Sequence, residues 1–358
     1  MILVNDPYDL VPELFESFPE FSKSTEASVD VLPASQPESF KYSNRLTIFI
    51  QPEPDIHWAD TAYQQQIHAR PNAVWAVSGF SDRHSWQLKN WILYWANLTS
   101  TVRSNPNLLP LESGPKPWLA TALLGGWMTN RGLLMCEIMS RGLLEKCLVN
   151  YHDRSDFSEE ERQQRKSQWP ERFFNYRTPQ LDQLDDAVFL KIAFDNTTNT
   201  ASTCRPQPGS KSGSHAWISQ LIPRNIYNSA YISIVAETET VPSAFFISEK
   251  ITRPLLVGHP FVVFGCTGYL QCLRDLGFRT FSPWLDETYD LITDTDKRIV
   301  AIVDSVEQFS QFNDYQRQQV CAEMQPIIEH NRILIKDKHW GVSPIADAIK
   351  QYLNLKES

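Results

Sequence analysis

A chain of 358 residues with 33 Lys and Arg against 42 Asp and Glu carries a net charge of −9, and 42% of its residues are hydrophobic. That apolar fraction excludes a disordered chain, while the length excludes a disulfide-stapled mini-protein and suffices for two domains or one large one. The acidic total disfavours binding nucleic acid by charge alone, so such a partner would need a local basic face.

The acidity is concentrated at the start. Residues 1–40 hold Asp6, Asp9, Glu13, Glu16, Glu20, Glu26, Asp30 and Glu38 against Lys23 alone, a net −7 that leaves −2 for the rest of the chain. The opening MILVNDPYDL has neither a basic n-region nor an apolar h-region, and no later stretch reaches the roughly 18 uncharged apolar residues of a spanning helix. The expectation is a cytoplasmic chain without signal peptide or membrane span. Cys136, Cys147, Cys204, Cys266, Cys272 and Cys321 show neither CxxC pairing nor a zinc-like spacing with histidines, which predicts reduced, structural thiols.

In chain order, apolar runs at 46–50 and 73–77 predict strands, and helical patterns follow over 86–102 and 131–144. Residues 153–215 are polar and poor in sustained apolar runs, the pattern of a linker or functional loop. Beyond them, 231–236 and 261–264 predict buried strands and 269–276 a helix. Ile299, Ile302, Val303 and Val306 fall at i, i+3, i+4 and i+7 on one helical face, and further helices fit 314–330 and 343–353. Strand and helix alternating on both sides of a linker predict two α/β domains, each with a parallel sheet. The division drawn is an acidic segment (1–40), a first domain (41–154), a linker (155–215), a second domain (216–340) and a C-terminal helix (341–358).

The densest constellation lies within 233–290. A strand delivers Glu237 and Glu239 just past its end, and Ser248-Glu249-Lys250 then opens a helix with Ser248 at the N-cap. A helix N-terminus bearing a lysine suits a phosphate or pyrophosphate, because free N–H groups and the ammonium converge on it, and an adjacent carboxylate can hold ribose hydroxyls. The same spacing also fits a Glu249 that merely complements the helix dipole beside a solvated Lys250.

Three pieces, Ala236-Glu237-Thr238, Phe246-Ile247-Ser248-Glu249-Lys250 and Gly258-His259-Pro260 running into FVVFG, resemble the donor-binding stretch of fucosyltransferase-like glycosyltransferases. The series SEK, GHPF, LGF-TF and DE-YD, the last at Asp286-Glu287-Thr288-Tyr289-Asp290, is similar to glycosyltransferase-like proteins found among viruses of cyanobacteria and other marine bacteria. The resemblance implies a GT-B-like fold of two Rossmann-like domains facing across a cleft, with a nucleotide diphosphate sugar bound mainly by the second and no separate cofactor. It places Glu249 on the ribose, Lys250 on the diphosphate and Glu237 near the sugar, with Glu239, Phe246 and Ser248 in the same donor stretch. Phe246 stands where the family often has Tyr, and Glu239 where Asn falls. Pro254 interrupts the helix after its first turns.

In the first half, Met128-Thr129-Asn130-Arg131 resembles an element of these proteins in which an arginine opens a helix after a strand. Arg131 would then give a second positive charge to the leaving diphosphate, the alternative being an exposed helix arginine. Glu53, in Gln51-Pro52-Glu53-Pro54-Asp55 at the end of the 46–50 strand, is similar to the Glu-Ser-Pro element that bears the base in fucosyltransferases. A carboxylate at a strand's carboxyl end can deprotonate an acceptor hydroxyl; Asp55, His57 and an ordinary turn carboxylate remain open.

Asp294-Thr295-Asp296 has the DxD form of a metal-nucleotide site but sits where a helix cap belongs. His259 fits either a substrate phosphate or a tight turn, and tryptophans 75, 86, 91, 95, 118 and 127 fit either sugar stacking or the core. GxGxxG, GxxxxGK[ST], GxSxG and HExxH are absent. The reading expected from the sequence is an inverting, metal-independent glycosyltransferase, in the host cytoplasm if the source is viral. Two alternatives stand beside it: a binding or structural protein that keeps the fold without catalysis, and a glycosyltransferase acting on modified DNA.

Overall fold

The structure, a computed structural model, describes residues 108–126, 129–152, 222–238 and 244–336, together with the short strands given next and single positions such as Thr240. Strands β1 (Leu3–Val4), β2 (Val29–Pro33), β3 (Leu46–Gln51), β4 (Ala73–Val77) and, past a short β5 (Gly79–Ser81), β6 (Trp91–Leu93) are present in the first part of the chain. All but β5 join one parallel sheet in the order β1-β2-β3-β4-β6. The helix expected over 86–102 is corrected at its centre: Trp91–Leu93 pairs with β4 as a strand. The run Trp-Ile-Leu is of residue types that strands favour or tolerate, Trp and Ile above all.

The second part runs β7 (Trp118–Gly126), α1 (Thr129–Ser140), β8 (Cys147–His152), α2 (Arg224–Asn228), β9 (Ala230–Ala236), β10 (Ala244–Phe246), α3 (Glu249–Val257), β11 (Phe261–Phe264), α4 (Tyr269–Asp275), α5 (Thr295–Ser310) and α6 (Asp314–Ile335). Its sheet has the order β11-β9-β7-β8, with every pair parallel. The division expected at 154 therefore falls between two strands of one sheet. Hydrogen-bonded pairing puts 118–152 with 230–264, and the polar stretch 153–215 lies within the β8 to β9 connection. β10 pairs antiparallel with β5.

Residue chemistry accounts for these elements. β9 (AYISIVA) and β11 (FVVF) are buried at every position, the continuous apolar reading of a parallel strand covered on both faces. The predicted stripe of α5 holds: Ile299, Ile302, Val303 and Val306 are all buried, and Phe309 extends it, each side chain contributing roughly 1.5–3 kcal/mol. Pro254 does not end α3, which continues to Val257, and its carbonyl accepts from the N–H groups of Gly258 and His259 at 3.0 and 2.9 Å. Gly258 then closes the helix at φ +81°, where a Cβ would stand 2.7 Å from Arg332 Cδ and 2.8 Å from Ile328 Cγ2 on α6. Its bare Cα allows both the left-handed turn and the close packing of α6 on α3.

The connection β7-α1-β8 steps one way across the sheet and β9-α3-β11 the other, so right-handed crossovers set α1 and α3 on opposite faces. Packing agrees, with α5 against α1 and β11, and α6 against α3. The core thus lies on both faces of the four-stranded sheet, and the carboxyl ends of β7 and β9 form a topological switch point, where open α/β sheets bind ligands.

Candidate functional site at the switch point

β7 ends at Gly126 and α1 opens at Thr129; β9 ends at Ala236, followed at once by Glu237 and Thr238. The two edges are tied together, since the Asn130 amide in the first turn of α1 donates to Thr240 Oγ1. On the other face, α3 begins at Glu249 with Ser248 as N-cap, its hydroxyl accepting from the Lys250 N–H at 3.1 Å as the sequence predicts. The helix starts of α1 and α3 therefore flank the end of β9.

Glu237 is 1% exposed, and its carboxylate is engaged from several sides. The Ser248 hydroxyl donates to Oε2, the Ser248 N–H to Oε1 at 3.3 Å, the Tyr269 hydroxyl to Oε1 at 2.8 Å and the Thr238 N–H to Oε2 at 3.3 Å. Burial raises its pKa, with Lys250 and the hydroxyl donors pulling the other way. The carboxylate thereby ties the N-cap residue Ser248 to Thr238 and to Tyr269 of α4. Phe246, which the resemblance puts in the donor stretch, is 2% exposed with its ring in the interior, and its carbonyl lies 3.1 Å from the Tyr269 hydroxyl.

Lys250 and Glu249 form an ion pair at the start of α3, with 16% and 21% of their side chains exposed and 2.7 Å between Nζ and Oε1. Lys250 Nζ also donates to Thr238 Oγ1 at 3.0 Å, which links α3 to the second residue past β9. Burial pushes the Glu249 carboxyl up, but Lys250 and Arg253 outweigh it, so its pKa lies below the usual carboxylate range. Lys250 and Arg253 line a small cleft with Tyr227, Thr121, Leu123 and the inner residues of β9. Arg131, in the first turn of α1, is 6% exposed, which corrects the alternative of an exposed helix arginine.

Several other sequence signals resolve into scaffold. His259 is buried, its Nδ1 2.6 Å from the Ser233 hydroxyl and its Nε2 2.8 Å from the Ala230 carbonyl, at the end of the sheet where β9 begins. Asp294 is the N-cap of α5, accepting from the Lys297 N–H at 2.9 Å, and among the described residues no cluster of three His, Cys, Asp or Glu could hold a metal ion. In the DE-YD series, Asp290 accepts the Leu270 and Gln271 N–H groups at the start of α4, and Glu287 binds Thr280 and Arg274. Tyr289 presents its hydroxyl to the Val263 N–H at 3.1 Å, satisfying edge strand β11. Glu53 and Glu239, with Asp55 and His57, lie outside the described residues.

Sequence reasoning did not single out Asn130, Thr238, Thr240, Tyr269 or Arg298. Arg298 carried a signal: with Ile302, Ser305 and Phe309 it falls on the buried face of α5, an unexpected place for a charge.

No protein-family model matches the chain, and no curated protein sequence matches it either. The class rests on the sheet: a mixed α/β protein with a parallel four-stranded sheet and helices on it, compatible with a Rossmann-like fold. Among the described residues no helix is long and apolar enough to cross a membrane.

Proposed function

We propose that the chain is a glycosyltransferase of the two-domain GT-B type, moving a sugar from a nucleotide diphosphate sugar to an acceptor hydroxyl with inversion and without a metal ion. The observation that carries this reading is the convergence, at one switch point, of the helix start bearing Ser248, Glu249 and Lys250 with the helix start bearing Arg131. The resemblance had joined these segments, 110 residues and more apart, only by analogy. The two parallel sheets, 3–93 and 118–264, favour the two-domain arrangement.

In this reading Lys250, Arg131 and the N–H groups at the start of α3 stabilise the departing diphosphate, where negative charge grows in the transition state. Glu249 is the carboxylate available to ribose hydroxyls, and Glu237 acts at one remove by fixing Ser248. Glu53, two residues past the carboxyl end of β3, is the base that takes the acceptor proton, and its carboxylate supplies the drive for a single in-line displacement. The test is hydrolysis and transfer of a panel of nucleotide diphosphate sugars by wild type, Lys250→Ala and Glu249→Ala. Loss of donor turnover in both variants, with the fold intact, is expected; wild-type turnover in both would sink the site assignment.

A second reading, a protein that binds a nucleotide without transferring a sugar, draws on two observations. Lys250 and Glu249 neutralise each other at 2.7 Å, and Phe246 is withdrawn into the core. Calorimetry separates the two: nucleotide binding without turnover on any donor favours the second.

A further inference from the structure

Arg298 is among the largest fully buried side chains of the protein, 1% exposed. Its guanidinium Nη1 donates to Thr267 Oγ1 at 2.6 Å and to the Ile292 carbonyl at 3.0 Å, Nη2 donates to the Thr240 carbonyl at 2.9 Å, and Cζ lies 5.6 Å over the Phe264 ring. Every one of these partners is neutral. The Nε–H finds no hydrogen-bond partner among the described residues, and no carboxylate there lies within 4.0 Å of the guanidinium; Asp290 and Asp294 attract it only from farther away.

A buried charge is ordinarily paired, because stripping its water is costly and an arginine does not escape by losing its proton. The position of this one matters. Thr240 follows the carboxyl end of β9 and Thr267 that of β11, the ligand end of the sheet. Thr240 also takes the Asn130 amide, so the guanidinium and the positive start of the 12-residue α1 flank one residue. The first turn of α1 has no acidic residue to offset its dipole, and it carries Arg131.

We infer that Arg298 is the buried counter-charge of an anion subsite at the carboxyl ends of β9 and β11 beside the start of α1, and that the anion is a phosphate group. This deepens the donor-site reading and rests on it: there the group is one phosphate of the nucleotide diphosphate, met by Arg298 from the α1 face while Lys250 serves the α3 face. Thr240 is the hinge of the arrangement, since its carbonyl is held by Arg298 and its hydroxyl by Asn130.

The experiment uses the full chain, with inorganic pyrophosphate, UDP and GDP titrated calorimetrically at low salt into wild type, Arg298→Lys, Arg298→Gln and Lys250→Ala, and the fold of each checked by circular dichroism. Pyrophosphate is expected to bind wild type, to bind Arg298→Gln about tenfold more weakly or worse, and to regain most of its affinity in Arg298→Lys, which keeps the charge. If Arg298→Gln does not fold, the Nε–H resonance of Arg298 in wild type, assigned with Arg298→Lys, takes its place and is expected to shift on adding pyrophosphate. Pyrophosphate binding equal in folded Arg298→Gln and wild type, an unmoved Nε–H resonance at saturation, or no anion binding to wild type at all would each overturn the inference. Nucleotide binding that depends on Lys250 but not on Arg298 would overturn it while leaving the donor-site reading standing. Arg298-dependent pyrophosphate binding without affinity for any nucleotide would do the reverse.

Discussion

Acidification from about pH 6.5 to about pH 4 is expected to destabilise the folded chain through His259. The ring is buried, its Nε2–H donates to the Ala230 carbonyl at 2.8 Å, and its Nδ1 accepts the Ser233 hydroxyl at 2.6 Å, a neutral tautomer dictated by a carbonyl that can only accept. Burial lowers its pKa from 6.5 to about 4. The unfolded chain takes up the proton near 6.5 and the folded chain only near 4, so the stability present above pH 6.5 is lost as pH falls through that window. At about 1.4 kcal/mol per pH unit the loss amounts to about 3 kcal/mol. Glu237, Glu287 and Asp290 have raised folded pKa values, chiefly through burial, and run in the opposite sense, so a difference against a variant isolates the histidine. Urea unfolding of wild type and His259→Gln between pH 7 and pH 4 supplies that difference. The variant is less stable at pH 7, and its deficit narrows by about 3 kcal/mol at pH 4. A deficit constant with pH, or a His259 imidazole resonance of the folded protein, assigned by its loss in His259→Gln, that titrates above pH 6, would refute the buried, neutral assignment. The same resonance decides a functional question, because a histidine that touched substrate phosphate would titrate near its ordinary value and shift on adding phosphate.

Ser248→Ala removes the cap acceptor for the Lys250 N–H and a donor to buried Glu237, and chemical denaturation is expected to register a loss of about 1–3 kcal/mol. Unchanged stability would mean that α3 is fixed at its start by other contacts. Tyr289→Phe leaves the buried Val263 N–H without its acceptor, for a loss of about 1–3 kcal/mol, and hydrogen exchange at the Val263 amide should accelerate in step.

Much of the second sheet was legible in the chain. β9, broken only by Ser233, and β11 stand out as apolar runs, α5 as a four-residue stripe, and Ser248 as a cap, because each depends on neighbours within a turn or a strand. β7 was not legible. WLATALLGG is rich in Ala and Leu, which favour helix, and a strand covered on both faces shows no alternation. It is a strand because β8 and β9 bond it from both sides. Composition locates the polar stretch 153–215 as a long connection but not that the strands on either side of it, β8 and β9, both pair with β7.

The candidate site divides the same way. Residue types and spacing alone determined that Ser248-Glu249-Lys250 opens a helix able to meet an anion and that the charge of −9 belongs mostly to the first 40 residues, leaving a nearly neutral body free to hold a cationic pocket. Tertiary structure alone decided that the start of α1, with a buried Arg131, is tied to the segment after β9, that Glu237 is enclosed by Ser248 and Tyr269, and that Arg298 lies buried without a carboxylate partner among the described residues. Local chemistry fixes what a segment can form, whereas pairing and packing between distant strands and helices fix which side chains are brought together at one end of the sheet.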